Sequence, residues 1–165
     1  MIAIDPATKT GIAQQRGKII TVTTIEGSPL FQVEEIFKML DSPREVVLIE
    51  KLAIYSKGAV NLSTLIPQAA RYGYITLRLM ENTNEVRPTH VSTWRSFLGV
   101  KGKTGTDKKI YCQDEIKRVT GVSVNRDEAD ALSILLYGLQ LDFDGLEAYT
   151  IQKVKRRFSG EKIAI

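Results

Sequence analysis

The hydrophobic pattern changes period several times along the chain, and each change marks an element. Ile2, Ala3 and Ile4 form a short apolar run that stops at Asp5, the pattern of a buried strand. Pro6 to Thr10 is turn-rich, and Gly11 opens a second strand, Ile12 to Gln15. After the Gly17-Lys18 turn, the β-branched run from Ile19 to Ile25 predicts a third. These three read as an antiparallel meander. Gly27-Ser28-Pro29 breaks it and starts a helix whose apolar positions, Leu30, Val33, Ile36, Phe37 and Leu40, fall at helical spacing. Beyond Ser42-Pro43, Val46, Val47, Leu48 and Ile49 make an unbroken apolar run ending at Glu50, as expected of a strand covered on both faces.

Alternation follows. Lys51 to Val60 is loop-like, and the next helix carries Leu62, Leu65, Ile66, Ala69, Ala70 and Gly73 on one face, with Pro67 expected to start or kink it. Asn82-Thr83-Asn84 is a turn, Val86 to Val91 a strand, and Trp94 to Leu98 a short helix. Gly99 to Gly105 reads as a flexible Gly/Lys loop, and Lys108 to Val119 as a helix closed by Gly121. The last strong element runs from Asp127 to about Leu141. Strands first, then strand–helix alternation, predict a mixed α/β domain over residues 1–145. Its sheet would have five strands, the meander plus parallel strands, flanked by helices. Residues 146–165 are expected to be a tail of the same domain, with the basic cluster Lys153, Lys155, Arg156 and Arg157.

Composition narrows the chemistry. The 165 residues suit one core, and a net charge of +4 permits a polyanion partner without requiring one. No apolar run approaches the roughly 18 residues of a membrane span. Met1 to Ile4 lead straight into Asp5 without a basic leader, so no secretory signal and a cytoplasmic location are expected. Cys112 is the only cysteine and His90 the only histidine, which excludes a disulfide within the chain and any cysteine-based or multi-histidine metal site. A bound metal would have oxygen ligands, which points to Mg2+, Mn2+ or Ca2+.

Carboxylates stand where such ligands are needed. Asp5 and Glu50 each end an apolar strand, the edge of an α/β sheet where ligands bind, although either alone reads equally well as a surface acid. Asn125 and Glu128 have the spacing of a capping box, which places Asp127 in the first turn of a helix. Asp130 lies beyond the reach of the cap and is followed by Ala131, Leu132, Ile134, Leu135 and Leu136. At i and i+3, Asp127 and Asp130 share a face and repel unless a cation lies between them. Four such acids without a usable histidine are the ligand set of a two-cation site for phosphoryl transfer.

The basic residues suit a nucleic acid. Lys101, Lys103, Lys108 and Lys109 surround Gly102 and Gly105, with Thr104 and Thr106 as hydroxyl donors. A solvated surface loop would look the same. Gly102-Lys103-Thr104 is not a nucleotide-binding P-loop, because Phe97 stands where the motif needs its first glycine and no strand leads directly into it, and no nucleotide cofactor is expected. Lys57 and Arg71 are candidates for strand contacts near Glu50, and Tyr55 for base stacking. Trp94 and Phe97 read as core or interface, and Cys112 as a small buried residue.

The segments MIAIDPATKTG around Asp5, VVLIE ending at Glu50 and RDEADALSILLYG from Arg126 resemble the RuvC family of Holliday-junction resolvases over roughly residues 1–140. The resemblance implies an RNase H-like nuclease fold. It implies Asp5, Glu50, Asp127 and Asp130 as catalytic metal-binding carboxylates for two Mg2+ ions, with Mn2+ as substitute. It also implies DNA contacts from Lys101, Lys103, Lys108 and Lys109, and a homodimer that nicks paired strands of a four-way junction. The family places an aromatic three residues after its second acid; Ala53 stands there, leaving Tyr55 as the candidate for stacking. Three alternatives share these features: an RNase H-like nuclease for hybrid, flap or single strands, a catalytically inactive branched-DNA-binding module, and an ATPase of the related actin-like fold. The last lacks a second domain to close over a nucleotide.

Overall fold

The computed structural model describes residues 1–40, 45–52, 62–82 and 85–154. The meander forms as β1 (Ile2–Asp5), β2 (Lys9–Arg16) and β3 (Ile19–Glu26). Helix α1 (Pro29–Met39) follows, started by Ser28, whose hydroxyl accepts from the Phe31 amide. Strand β4 (Val46–Glu50) pairs parallel to β1 with Ile4 beside Ile49, so Asp5 and Glu50 end neighbouring strands. Helix α2 (Leu62–Asn82) and strand β5 (Glu85–Thr89) come next, then α3 (Val91–Phe97), α4 (Gly105–Thr120) and α5 (Arg126–Leu139).

Several boundaries differ from the sequence reading. Pro67 lies inside α2, which continues to Asn82. Val91 starts α3 instead of ending a strand. Helix α4 begins at Gly105 because Thr104 and Asp107 close a capping box around its first turn, and Gly121, at φ 73°, ends it as expected.

The sheet has six strands, not five, in the order β5-β4-β1-β2-β3-β6. The sixth, β6 (Thr150–Lys153), comes from the expected tail and lies parallel to β3, with Ile19 opposite Thr150. It is held further by the Thr23 hydroxyl, which donates to the Val154 carbonyl at 2.8 Å, and by Lys153, 2.8 Å from buried Glu128. Lys155, Arg156 and Arg157 lie outside the described residues.

Side-chain alternation sorts the strands between two cores. Ile2, Ile4, Ile12, Ile25, Val47 and Ile49 pack with α1 and α2. Ala3, Ala13, Ile20, Val22 and Leu48 face the other way, onto α3, α4 and α5. Period two therefore carries Asp5 and Glu50 to the second face, beneath α5. Two glycines let α5 lie close to the sheet. A Cβ at Gly11, opposite Asp5 in β2, would come within 2.0 Å of the Asp127 carbonyl oxygen, and one at Gly138 within 2.2 Å of Leu48 Cδ1.

Candidate active site

Three segments bring four acids together: the ends of β1 and β4 and the first turns of α5. β1 and β4 deliver Asp5 and Glu50. Asn125 caps α5 as expected: its side chain accepts from the Glu128 amide, and Glu128 returns the bond to the Asn125 amide. The Asn125 amide group also donates to the Thr24 hydroxyl at 2.8 Å, fixing the helix start to β3. The first turns of α5 thereby bring Asp127 and Asp130 toward Asp5. Asp130 is only 1% exposed and Asp5 only 7%.

These acids are crowded and poorly solvated. Burial first, then the charges of Glu50 and Asp130, holds the Asp5 carboxyl well above its ordinary range. Burial and Asp130 push Glu50 up to about 7, against the Trp94 hydrogen bond and the Arg95 and Lys109 charges. Asp130 is also raised, by burial, with Lys109 opposing. Asp5 Oδ2 and Asp130 Oδ1 are buried without a hydrogen-bond partner. A pair of orphaned carboxylate oxygens facing like charges is costly unless a cation completes it.

The cation present is Lys109. Its Nζ lies 2.7 Å from Asp130 Oδ2, 3.7 Å from Asp127 Oδ1 and 3.8 Å from Asp5 Oδ2. Burial pulls this ammonium down, but Asp5, Asp130 and Asp127 together hold it above its ordinary value, and it stays charged. Among the described residues no three or more His, Cys, Asp or Glu side chains already converge as a metal cage. The donors nonetheless fit a hard divalent cation: they are oxygens, anionic, and two of them have no hydrogen-bond partner among the described residues.

Helix α3 fastens the site from the side, a role absent from the sequence reading. The indole N–H of Trp94, fully buried, donates to Glu50 Oε2 at 2.9 Å. The Arg95 guanidinium stacks 4.9 Å from the Trp94 ring centre and places Nη2 3.8 Å from Asp130 Oδ2. Trp94 therefore belongs to the core, as expected, and also orients a candidate ligand. The spacing of Trp94 and Phe97 at i and i+3 predicts core or interface, and the bond to Glu50 carries no local signal. A cleft of about 240 Å³ lies at the strand ends, lined by Asp5, Pro6, Glu50, Leu52, Tyr72 and Arg95 among others.

The other candidates lie farther out. Lys101 and Lys103 are exposed before α4, and Lys108 is half-buried on its first turn. Arg71 is taken up structurally, with its guanidinium on Gln32 Oε1 at 2.8 Å and on the Gly27 carbonyl. Tyr55 and Lys57, and with them the stacking position after Glu50, lie outside the described residues. Cys112 is buried and free, as expected.

With this geometry in view, the relatives can be compared. No protein-family model matches the sequence, and no curated protein matches it. Solved structures do. One is RuvC from T. thermophilus in complex with a Holliday junction substrate, at TM-score 0.57 and 15% identity, covering 85% of this chain and 93% of that one. Another is the Thermus thermophilus RuvC structure, at TM-score 0.54 and 16% identity, covering 85% and 94%. This chain has the RuvC fold. The mixed sheet, RNase H-like in its meander followed by parallel strands, and the helices on both faces agree with the expectation except for the added β6. No helix among the described residues is long and apolar enough to cross a membrane.

Proposed function

We propose that the protein is a metal-dependent, structure-specific endonuclease that resolves four-way junctions and related branched DNA by paired nicking. The observation that carries this reading is the convergence of Asp5, Asp127 and Asp130 on one cationic point, with Glu50 beside them, on a RuvC fold. Asp5, Glu50, Asp127 and Asp130 would hold Mg2+, in a two-ion arrangement, with Mn2+ as substitute. Bound there, the metal would supply Lewis-acid activation of water and of the phosphodiester.

The rest is done by the chain itself. Asp5 and Asp130 contribute buried oxygens that accept no hydrogen bond from any described residue. Trp94 holds one oxygen of Glu50, leaving the second for a ligand. Lys109 keeps mutually repelling acids together in the absence of another cation, and it is the ammonium best placed to meet a phosphate drawn into the site. Lys101, Lys103 and Lys108 lie along the approach and would steer a DNA backbone. The protein would act in the cytoplasm on DNA.

Paired nicking needs two copies, and α2 offers a surface for a homodimer. Ile66, Ala70, Gly73, Leu77 and Met80 recur at alternating steps of four and three along one exposed side, with Ile66, Leu77 and Met80 at 63%, 57% and 55% exposure. The small pair Ala70 and Gly73 lies mid-stripe. A two-fold axis there would set Ile66 against Leu77 and Met80 of a second copy and let the helices approach closely. Burying such side chains is worth about 1.5–3 kcal/mol each.

The test is cleavage of end-labelled four-way junction, fork and linear duplex with Mg2+, beside Asp130→Asn. Symmetric paired nicks on the junction, lost in the variant with binding retained, are expected. Preference for forks, flaps or hybrids would keep the nuclease and remove the resolvase assignment. Binding that is equal with EDTA and never followed by cleavage would leave a branched-DNA-binding module.

A further inference from the structure

A second cleft adjoins the carboxylates. It has a volume of about 560 Å³ and is lined by Val91, Ser92, Arg95, Ser96, Gly99, Val100 and Lys108. Val91 and Arg95 also line the cleft at the strand ends, so the two clefts are neighbours that share a wall. Their charges differ sharply. The first carries Asp5 and Glu50 beside Lys51 and Arg95, whereas the second has Arg95, Lys108 and two serine hydroxyls and no acid in its lining.

Arg95 is the unusual member. Its side chain is only 18% exposed, yet among the described residues its guanidinium makes no hydrogen bond; its nearest anion is Asp130 Oδ2, at 3.8 Å. Its Nε is buried without a partner. A guanidinium carries five N–H donors in a rigid fork that matches phosphate oxygens, and leaving the buried Nε–H unmet is expensive. Stacking on Trp94 fixes the plane of that fork. Ser92 and Ser96 lie three residues before and one after Arg95 on the same helix, both exposed to the cleft it lines, and Lys108 faces them from α4.

We infer that this cleft is a phosphodiester subsite, in which Arg95, helped by Ser92, Ser96 and Lys108, grips the DNA phosphate next to the one being cut. The inference rests on the nuclease reading and adds to it the path of the strand: along α3, away from the carboxylates. Arg95 touches both ends of that path, since it contacts Asp130 on one side and walls the cleft on the other. The acid-free lining also separates the roles. The carboxylate end would take the cations, and the α3 end would take the uncompensated charge of the neighbouring phosphate.

The test uses the full chain and four-way junction DNA. Ser96→Glu places an acid in the cleft from an exposed position and leaves the four carboxylates untouched. It should weaken junction binding about tenfold and lower the salt slope by about one, as loss of one phosphate contact does, with Mg2+ binding measured by calorimetry unchanged. Independently, one neutral methylphosphonate beside the scissile phosphate should weaken binding by wild type and add nothing further to Arg95→Gln. Unchanged affinity and slope in Ser96→Glu, or equal sensitivity of wild type and Arg95→Gln to the neutral linkage, would overturn the subsite while leaving the nuclease standing. If wild type neither binds nor cuts junctions, the functional reading itself falls and the subsite with it.

Discussion

Helices α5 and α2 lie on opposite faces of the sheet and use their apolar residues in different ways. In α5 every residue from Glu128 to Leu136 is buried, so its surroundings within the chain cover it on all sides. Among the described residues of α2 only Ile75 and Leu79 are fully buried, and a second apolar stripe, Ile66, Leu77 and Met80, is exposed. The first pattern belongs to a helix whose partners are all in its own chain. The second belongs to a helix with one apolar side that no described residue covers. Polar residues make the same point in reverse: Asp130 is buried in α5, where burial raises its carboxyl above the ordinary range, the mark of a candidate functional acid.

The contrast can be broken most severely at the α5 side. Gly11→Ala would drive a methyl group into the Asp127 carbonyl. Overpacking of this kind costs about 1–3 kcal/mol, and a displacement near 1 Å costs about a hundredfold in rate. A lower melting temperature and cleavage reduced by at least that factor are expected, whereas wild-type behaviour would show that α5 does not press on β2.

On the α2 side, Leu77→Glu should leave the melting temperature of the monomer nearly unchanged, because the residue is 57% exposed. Sedimentation should then show a monomer, and junctions should receive single, unpaired nicks. A variant that remained dimeric would remove α2 from the interface.

Trp94→Phe keeps the ring in the core and deletes the N–H on Glu50. Lost partners of ligating groups typically cost about 10–100-fold in metal affinity, so the Mg2+ concentration for half-maximal cleavage should rise by that range. An unchanged requirement would make Trp94 a packing residue only.

The mildest effect is on pH dependence. Glu50 titrates near 7 in the fold against an ordinary value of 4.5. Below the ordinary value both states hold the proton and nothing is lost. As pH rises from about 4.5 to about 7, the unfolded chain ionises while the fold stays protonated, so metal-free stability should fall, by at most about 1.4 kcal/mol per pH unit. Above that window the loss is constant. Thermal melts of Glu50→Gln without metal should show a shallower decline; identical curves would contradict the shift.

Much of the site was legible because its signals are local. An apolar run that stops at an acid reveals Asp5 and Glu50, and the Asn125–Glu128 capping box fixes the phase that puts Asp127 and Asp130 together. What escaped depends on contacts distant in sequence. In the sequence Lys109 reads as one more candidate DNA contact of the Gly/Lys loop, and only the packing of α4 on α5 turns it among the acids. Arg95 draws its meaning from Trp94, Asp130 and the cleft, none of which periodicity exposes. Strand β6 is four residues of mixed polarity at an edge, and its pairing with β3 relies on Lys153 and Glu128 meeting across the fold. The Thr104–Asp107 box that starts α4 was present in the sequence, but the neighbouring glycines favoured reading it as loop.

Trp94 is the only tryptophan and bonds directly to Glu50, so its emission reports on the site. The most direct measurement is a fluorescence titration of the metal-free protein with Mg2+, beside Asp5→Asn. A saturable change in emission, at the Mg2+ concentrations that support junction cleavage and lost in the variant, is the predicted result. Emission indifferent to Mg2+ in a protein that still cleaves would contradict the claim that these carboxylates receive the cation.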